Sequence, residues 1–224
     1  HKSAKIHPSV EIGPYANIGE DADIGERVTV GHGAWVEHCV IGPGSKIFPY
    51  AVVGAPPQDV KYDGKKTSVV IGSNCTVREF ATVHRSTNPI EPTTVGDDCF
   101  LMALMHIGHD CKVGNNVIIA NGSQIGGHVT LMDNVVISAL VAIHQYVKIG
   151  RLVMLSGGAM VTQDVPPFTQ AQGDRAKLVG LNLVGLKRKG FSSETISEIR
   201  SAYRVIFLTE LTQQEALDQI AASE

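Results

Sequence analysis

The sequence predicts an all-β parallel β-helix, a solenoid of hexapeptide repeats, followed by a small α-helical C-terminal region. Three observations predict this fold. An aliphatic residue recurs at every sixth position over most of the chain, a small residue follows it four positions later, and the repeat ends at Pro166-Pro167. A period of six fits neither a helical turn nor the alternation of a plain strand. It indicates short strands separated by corners, with three hexads closing one triangular coil.

The repeat begins at Ile6 and reaches Val53 with one slip of register. It returns between Ile71 and Val83, and after a second break it runs without a slip from Val95 to Val161. Since three hexads make one coil, each residue should stack on the residue 18 positions later, about 4.8 Å along the axis. Residues 1–167 are therefore predicted to form the β-helix domain.

Residues 168–224 are predicted to form a connector and a C-terminal helical region. The connector is expected to be extended and ends in the basic run Lys187-Arg188-Lys189. Two amphipathic helices should follow, the first starting near Ser192 or Ser193. The second should open with a capping box at Thr212-Gln-Gln-Glu215.

Composition limits the function classes. The 224 residues carry a net charge of −3, which argues against a nucleic-acid partner. No apolar run is long enough for a membrane span, and the N-terminus has no signal-peptide pattern, so a cytoplasmic protein is expected. The four cysteines form no CxxC motif and are predicted to be reduced core residues, not zinc ligands.

A period of 18 places histidines from three successive coils on one patch. His106 lies nearby, at the end of the preceding hexad. Single exposed histidines are common, but a cluster at non-interior positions is not explained by a solvated surface. The three adjacent columns are His109, Gly127 and Gln145; Asp110, His128 and Tyr146; and Gly108, Gly126 and His144.

Such a cluster admits two chemistries. A neutral imidazole can act as a general base near pH 7, and Asp110 beside His109 would orient the ring and stabilise its protonated form. Alternatively, three imidazoles would bind Zn²⁺ and activate a water molecule, as in γ-class carbonic anhydrases. The columns alone leave both open.

Several outward positions are apolar, which predicts an apolar face and self-association. These positions are Met102, Leu104, Ile118, Val136, Leu140, Ala142, Tyr146 and Leu152.

Six motifs, in order along the chain, resemble those of the UDP-N-acetylglucosamine O-acyltransferases, a family of the hexapeptide-repeat acyltransferases. The resemblance extends from about residue 5 to 210 and implies a left-handed β-helix. The motifs are QDVKY (58–62), HIGHDC (106–111), GHV (127–129), IHQY (143–146), QDVPP (163–167) and GLKRKGF (185–191).

The resemblance implies a reaction. The family transfers a 3-hydroxyacyl chain from acyl carrier protein to the glucosamine 3-hydroxyl of UDP-N-acetylglucosamine, the first step of lipid A biosynthesis. His109 matches the general base, Asp110 its partner, and Gly127 the backbone N–H that holds the oxyanion. The donor is carried on the phosphopantetheine of the carrier protein, so neither a metal nor another cofactor is expected. A homotrimer is implied as well.

Further positions match substrate contacts of the family. In two places the chain departs from the family pattern: Val184 replaces a frequent glutamate, and Lys189 replaces a frequent arginine. Lysine lacks the bidentate grip on phosphate. The basic run 187–189 is also a candidate contact for the acidic carrier protein. The matched substrate-binding residues are Gln58, Asp59, Lys61, His106, His128, His144, Gln145, Asn182, Arg188 and Lys189.

Gly157 matches the acyl-chain ruler of the family. It is 48 positions after His109, which corresponds to about 13 Å along the axis and on the order of ten carbons, on a different face of the prism. An open glycine there implies a chain beyond decanoyl. A corner glycine, needed only for its backbone conformation, is the alternative.

Other functions remain open at this point. They are a zinc-dependent γ-class carbonic anhydrase-like hydratase, another hexapeptide sugar acyltransferase using acetyl-CoA, a non-catalytic scaffold, and a variant that acylates a 3-amino sugar.

Overall fold

The expected hexapeptide strands are present in the computed structural model, which describes residues 1–222, with Gln213 described by its backbone alone. Ser223 and Glu224, the end of the expected helical region, lie outside the described residues. The strands of the first coils are β1 (Lys5–Ile6), β2 (Glu11–Ile12), β3 (Asn17–Ile18), β4 (Asp23–Ile24), β5 (Thr29–Val30), β6 (Trp35–Val36), β7 (Cys39–Ile41), β8 (Lys46–Ile47), β9 (Val52–Ala55), β10 (Val69–Ile71), β11 (Thr76–Val77) and β12 (Thr82–His84).

The later coils continue in the same order. Their strands are β13 (Thr93–Val95), β14 (Phe100–Leu101), β15 (His106–Ile107), β16 (Lys112–Val113), β17 (Ile118–Ile119), β18 (Gln124–Ile125), β19 (Thr130–Leu131), β20 (Val136–Ile137), β21 (Ala142–Ile143), β22 (Lys148–Ile149), β23 (Met154–Leu155), β24 (Met160–Val161), β25 (Thr169–Gln172) and β26 (Lys177–Leu181).

From β1 to β24 every third strand joins the same parallel sheet, so three sheets form the faces of the prism, and the antiparallel pair of β25 and β26 extends one of them. Sheet 1 contains β1 and every third strand to β22, sheet 2 runs from β2 through β23 to β25 and β26, and sheet 3 runs from β3 to β24. In the unbroken run the register is the predicted 18 residues, since His106 pairs with Gln124 and Gln124 with Ala142.

The inward side chains form one continuous core. The aliphatic residues of the repeat are buried from Ile24 to Val161, and each contributes roughly 1.5–3 kcal/mol relative to an exposed side chain. All four cysteines are buried and unpaired, as predicted.

The corners place non-glycine residues at positive φ in every coil. Between sheets 1 and 2 these are mainly Asn and Asp, which tolerate the left-handed region. Between sheets 2 and 3 they are large, exposed apolar residues, and we call this column the apolar ridge. It consists of Tyr15, Tyr50, Phe80, Leu104 and Leu140.

The predicted apolar face is only partly correct. Leu104, Ile118, Leu140 and Tyr146 are exposed, but they are distributed over different faces and corners and do not form one surface. Leu152 is wrongly included, because it is buried in a small second cluster beneath the C-terminal helices.

The C-terminal region contains α1 (Leu183–Arg188), α2 (Ser193–Phe207) and α3 (Gln213–Ala221). The two predicted helices are confirmed, including the N-cap at Ser192 and the capping box of α3. The expectation of an extended connector is wrong for residues 183–188, which form α1. A helix of six residues is too short for hydrophobic periodicity to indicate it. Within residues 1–222 no helix has both the length and the apolarity to cross a membrane.

Candidate active site

The histidines predicted to share a patch lie at the corner where sheet 3 ends. His109 and Asp110 follow β15, while Gly127 and His128 follow β18 one coil later. The backbone N–H of His128 donates to the His109 carbonyl at 2.9 Å, and the N–H of Tyr146 donates to the Gly127 carbonyl at 3.1 Å. The predicted stacking of these columns is therefore confirmed.

His109 and Asp110 form a hydrogen-bonded pair. The Nδ1 atom of His109 lies 2.7 Å from Oδ2 of Asp110. Burial by itself raises the pKa of the Asp110 carboxyl, but hydrogen bonds from His109 and Thr87 outweigh burial and hold that pKa below its usual value. An ionised carboxylate only accepts, so Nδ1 carries the proton. In the neutral ring, Nε2 is then the unprotonated nitrogen and is able to accept a proton.

Gly127 provides the surface on which the His109 ring rests. A Cβ atom at Gly127 would lie 2.7 Å from both Cε1 and Nε2 of that ring. The Gly127 N–H makes no hydrogen bond within the described part of the chain. The equivalent position of the hexapeptide carries proline at the other two corners of the prism, namely Pro8 and Pro43 after sheet 1 and Pro14 and Pro49 after sheet 2, so the fold does not require an N–H donor at this point of the repeat. The Gly127 N–H is therefore available to a ligand beside His109.

His128 lies on the other side of the pair. Its ring centroid is 5.2 Å from that of His109 at an interplanar angle of 90°, and it stacks on Tyr146 at 4.5 Å. Its Nε2 atom is 3.7 Å from Oδ2 of Asp110, beyond hydrogen-bonding distance. His128 therefore borders the site without taking the carboxylate from His109.

His106 points outward from sheet 3 towards the same site. Its Nδ1 atom lies 2.7 Å from the Thr82 hydroxyl, and its ring meets His84 edge-on with centroids 4.8 Å apart. Burial, followed by the charges of His84 and His109, lowers the pKa of His106 to about 4. The His106 ring is therefore neutral at physiological pH and able to donate or accept one hydrogen bond through Nε2.

Three residues of this site were missed by the sequence analysis: Thr82, His84 and Thr87. His84 is buried, burial lowers its pKa, and its Nδ1 has no hydrogen-bond partner among residues 1–222. Across the second break the stacking offset is 24 residues instead of 18, since Thr82 pairs with His106. Counting by 18 could not bring these residues to the site, although the position of His84 and Thr87 at the start of the break was a usable signal.

The predicted substrate loop is the segment 56–68, between β9 and β10. The Asp59 carboxylate accepts a hydrogen bond from the Lys61 backbone N–H at 2.9 Å, which fixes a local turn. Gln58 and Lys61 are exposed. The loop holds these side chains at the surface without bringing them into contact with the histidines.

The remaining predicted substrate contacts differ in their surroundings. His144 and Gln145 are exposed in the next coil, and Arg188 and Lys189 are exposed at the end of α1. Asn182 is buried, its Oδ1 caps α1 by accepting from the Gly185 N–H, and its Nδ2 donates to a backbone carbonyl. The Asn182 side chain is thus already engaged inside the protein, and its contact with a nucleotide stays a prediction.

Gly157 lies at the corner between sheets 2 and 3, whereas His109 lies at the corner where sheet 3 ends. The two residues thus flank one face, not different faces as expected. Gly157 has no positive φ, unlike Gly158 with φ +71°, and a Cβ at Gly157 would lie 3.4 Å from the Ala139 carbonyl oxygen and 3.9 Å from the Ser138 Cβ, both ordinary contacts. The backbone does not require glycine at position 157, which disfavours the corner-glycine alternative.

Within residues 1–222, one group of side chains has the spacing to hold a metal ion. It consists of His109, Asp110 and His128, whose ligand atoms lie within 4.8 Å of one another. His144 is not part of it, so the three-imidazole site of the hydratase alternative does not form within one chain. The donor set is two imidazoles and a carboxylate, and that carboxylate is hydrogen-bonded to His109 Nδ1.

A parallel β-helix of hexapeptide repeats, with a histidine–carboxylate pair beside an unbonded backbone N–H, defines a hexapeptide-repeat transferase. Residues 3–38 and 92–127 match the family described as bacterial transferase hexapeptide (six repeats). Residues 164–224 match the second domain of UDP-N-acetylglucosamine O-acyltransferase.

Two curated relatives carry the name acyl-(acyl-carrier-protein)–UDP-N-acetylglucosamine O-acyltransferase. The one from Burkholderia orbicola is 46% identical over 181 residues, 80% of this chain and 69% of the relative. The one from Thermodesulfovibrio yellowstonii is 48% identical over 181 residues, 80% of this chain and 70% of the relative. The chain belongs to the UDP-N-acetylglucosamine O-acyltransferase family.

Solved structures agree with this assignment. The acyltransferase LpxA of Acinetobacter baumannii has a TM-score of 0.96 at 38% identity, over 99% of this chain and 87% of that one. The UDP-N-acetylglucosamine acyltransferase of Campylobacter jejuni has a TM-score of 0.85 at 37% identity, over 100% of this chain and 90% of that one. The fold is the left-handed parallel β-helix that the resemblance predicted.

Proposed function

We propose that this chain transfers a 3-hydroxyacyl group from acyl carrier protein to the glucosamine 3-hydroxyl of UDP-N-acetylglucosamine, the first step of lipid A biosynthesis, in the cytoplasm. The observation that carries the proposal is the His109–Asp110 pair, 2.7 Å apart, with the Gly127 N–H unbonded beside the ring. Relatives named for this reaction support it.

The reaction follows from these groups. Nε2 of His109 accepts the proton of the 3-hydroxyl as its oxygen attacks the thioester carbonyl, and Asp110 stabilises the imidazolium that forms. The Gly127 N–H donates to the oxyanion of the tetrahedral intermediate. When that intermediate collapses, the carbon–sulfur bond breaks and His109 returns the proton to the phosphopantetheine thiolate. This cycle needs no metal and no resident cofactor.

The surrounding polar residues would bind the sugar and the nucleotide. His106, His128, His144 and Gln145 line the corner around His109 and are suited to the sugar hydroxyls. The remaining candidates contribute charge and hydrogen bonds further away: Gln58, Asp59 and Lys61 from the loop 56–68, and Asn182, Arg188 and Lys189 from the α1 segment. The same basic residues suit the acidic carrier protein.

An assay with paired acceptors and donors tests the function. Purified protein is given UDP-N-acetylglucosamine or its 3-amino analogue, with carrier-protein thioesters of several lengths or the matching coenzyme A thioesters. We expect an ester product from the 3-hydroxyl acceptor and the carrier-protein donors. A product formed only from the amino sugar, or only from coenzyme A donors, would assign the chain to one of the other sugar acyltransferases.

Gly157→Met is expected to shift the preferred donor towards shorter chains while leaving the fold intact. We propose Gly157 as the acyl-chain ruler, since it flanks the same face as His109 and has room for a side chain. The measurement is kcat/KM over donors of increasing length, with the melting temperature as the control. An equal loss on all lengths together with a lower melting temperature would instead indicate a structural glycine.

Leu140→Glu is expected to weaken a homotrimer and lower activity with it. Leu140 belongs to the apolar ridge, where large residues at positive φ remain exposed in the single chain. A carboxylate in an apolar contact is costly to bury. Sedimentation equilibrium at micromolar concentration measures the assembly, and Val179→Glu, on the exposed hairpin strand β26, is the matched control. A wild-type monomer would refute the trimer.

A further inference from the structure

The loop that follows β12 holds the carboxylate of Asp110. The Thr87 backbone N–H lies 3.1 Å from each carboxylate oxygen, and the Thr87 hydroxyl donates to Oδ2 at 2.8 Å. The Asn88 N–H donates to Oδ1 at 3.4 Å. The Asp110 backbone N–H in turn donates to the Thr93 hydroxyl at 2.8 Å. Asp110 is therefore bound through its side chain to this loop and through its main chain to Thr93, the first residue of β13.

Oδ2 of Asp110 has two close partners besides the Thr87 backbone N–H at 3.1 Å. His109 Nδ1 lies 2.7 Å away and the Thr87 hydroxyl 2.8 Å away, whereas His128 Nε2 is 3.7 Å away. A carboxylate oxygen offers two in-plane acceptor sites. Thr87 fills one of these sites and His109 the other, so no in-plane acceptor site of Oδ2 remains for His128. Thr87 and His109 thus occupy Oδ2, and His128 Nε2 stays beyond hydrogen-bonding distance.

The loop itself is anchored at both ends. The backbone N–H groups of Ser86 and Thr93 both donate to the Ser68 carbonyl at 3.2 Å. Ser86 is fully buried, and its hydroxyl donates to the Asn88 carbonyl at 2.8 Å. Lys112 Nζ donates to the Pro92 carbonyl at 2.8 Å. The position of Thr87 is therefore fixed before any substrate binds.

We propose that Thr87 is a positioning residue, whose hydroxyl holds Asp110 Oδ2 against His109 Nδ1 and away from His128, so that His109 presents Nε2 to the acceptor hydroxyl. The role in catalysis rests on the proposed function, whereas the hydrogen-bond arrangement can be tested without turnover.

The variants Thr87→Val and Thr87→Ser separate the hydroxyl from the rest of the residue. Valine keeps the shape and the backbone N–H but removes the donor, and a hydrogen bond to a charged group corresponds to about 10- to 100-fold in rate. We expect kcat to fall by that factor with KM changed less than about threefold, and serine to restore kcat. Thr76→Val, an outward position on sheet 2, is the matched control.

A double-mutant cycle with Asp110→Ala tests whether Thr87 acts through the carboxylate. In an Asp110→Ala background, adding Thr87→Val should lower kcat by a further factor of less than about three, because the carboxylate that the Thr87 hydroxyl bonds is already absent. Full multiplication of the two losses, or no recovery with Thr87→Ser, would overturn the proposal and indicate a structural role for the loop.

The proton on His109 Nδ1 gives a readout that does not depend on activity. A proton held between an imidazole and a carboxylate gives a low-field NMR resonance, and its absence in His109→Ala assigns it. We expect the resonance in the wild type and in Thr87→Ser, and its loss or broadening in Thr87→Val. An unchanged resonance in Thr87→Val would refute the positioning role. A wild type that shows the resonance but acylates no acceptor would refute the proposed function alone.

Discussion

His109→Ala is expected to abolish measurable turnover and leave the fold unchanged. The His109 side chain lies at a corner outside the core, so its removal opens no internal cavity. The loss of a general base costs about 10²–10⁴ in rate, and more where no other base replaces it. None is expected to replace it here, because Thr82 and His84 surround His106, and His128 is stacked on a tyrosine. Single-turnover kinetics with UDP-N-acetylglucosamine measures the effect.

His7→Ala is the matched control, since the His7 side chain is exposed and its ring hydrogen-bonds only to Ser9 in its own coil. It should retain wild-type activity. An active His109→Ala would make the base assignment wrong. Incubation with a chelator should leave the wild type active. A stoichiometric zinc whose removal stops catalysis would favour the hydratase, with His109, Asp110 and His128 as its ligands.

Gly127→Ala is expected to lower kcat by a factor of about 10² or more, although it preserves the backbone N–H. The new Cβ would lie 2.7 Å from two atoms of the His109 ring, closer than van der Waals contact allows. The ring must then turn, which breaks its alignment with Asp110, and a displacement of about 1 Å is enough for a loss of this size. Gly127 has no positive φ, so alanine is compatible with the backbone.

The measurements are kcat and the melting temperature of the Gly127→Ala variant and the wild type. For Gly127→Ala we expect an unchanged melting temperature. The low-field resonance of the proton between His109 and Asp110 should be lost, because the ring has turned. In a His109→Ala background the substitution Gly127→Ala should be stabilising or neutral, because its steric conflict is gone. A Gly127→Ala protein with full activity would show that the ring has more freedom than the contacts allow.

The sequence was most informative where the repeat was unbroken. Between Val95 and Val161 no residue is inserted, so counting by 18 predicted the strand register and brought His109, Gly127 and His128 together. The same arithmetic failed across the second break, where the loop before Thr93 changes the offset to 24. The residues that hold the pair, above all Thr87, lie in that break.

The C-terminal region shows a different limit. Asn182 belongs to a segment whose sequence resembles a nucleotide contact, but its side chain caps a helix and reaches a buried carbonyl. In the sequence, a polar residue before a short helix looks the same whether it caps the helix or binds a nucleotide. Only the position of Leu152 beneath that helix distinguishes the cap from the nucleotide contact. Hydrophobic periodicity carries no information on such contacts between distant segments.

The constant rise of the coils between β13 and β24 has a consequence for how chain-length preference evolves. With Gly157 as the acyl-chain ruler proposed above, duplication or loss of one 18-residue coil between Gly127 and Gly157 would move these two residues apart or together by about 4.8 Å. At ~1.3 Å per carbon that is a step of about four carbons. In the same proposal, a point substitution at position 157 changes that length in smaller steps. Gain or loss of a coil would therefore change the accepted chain length in large steps, and substitution at position 157 in small steps. Only the gain or loss of a coil leaves every side chain of the site unaltered.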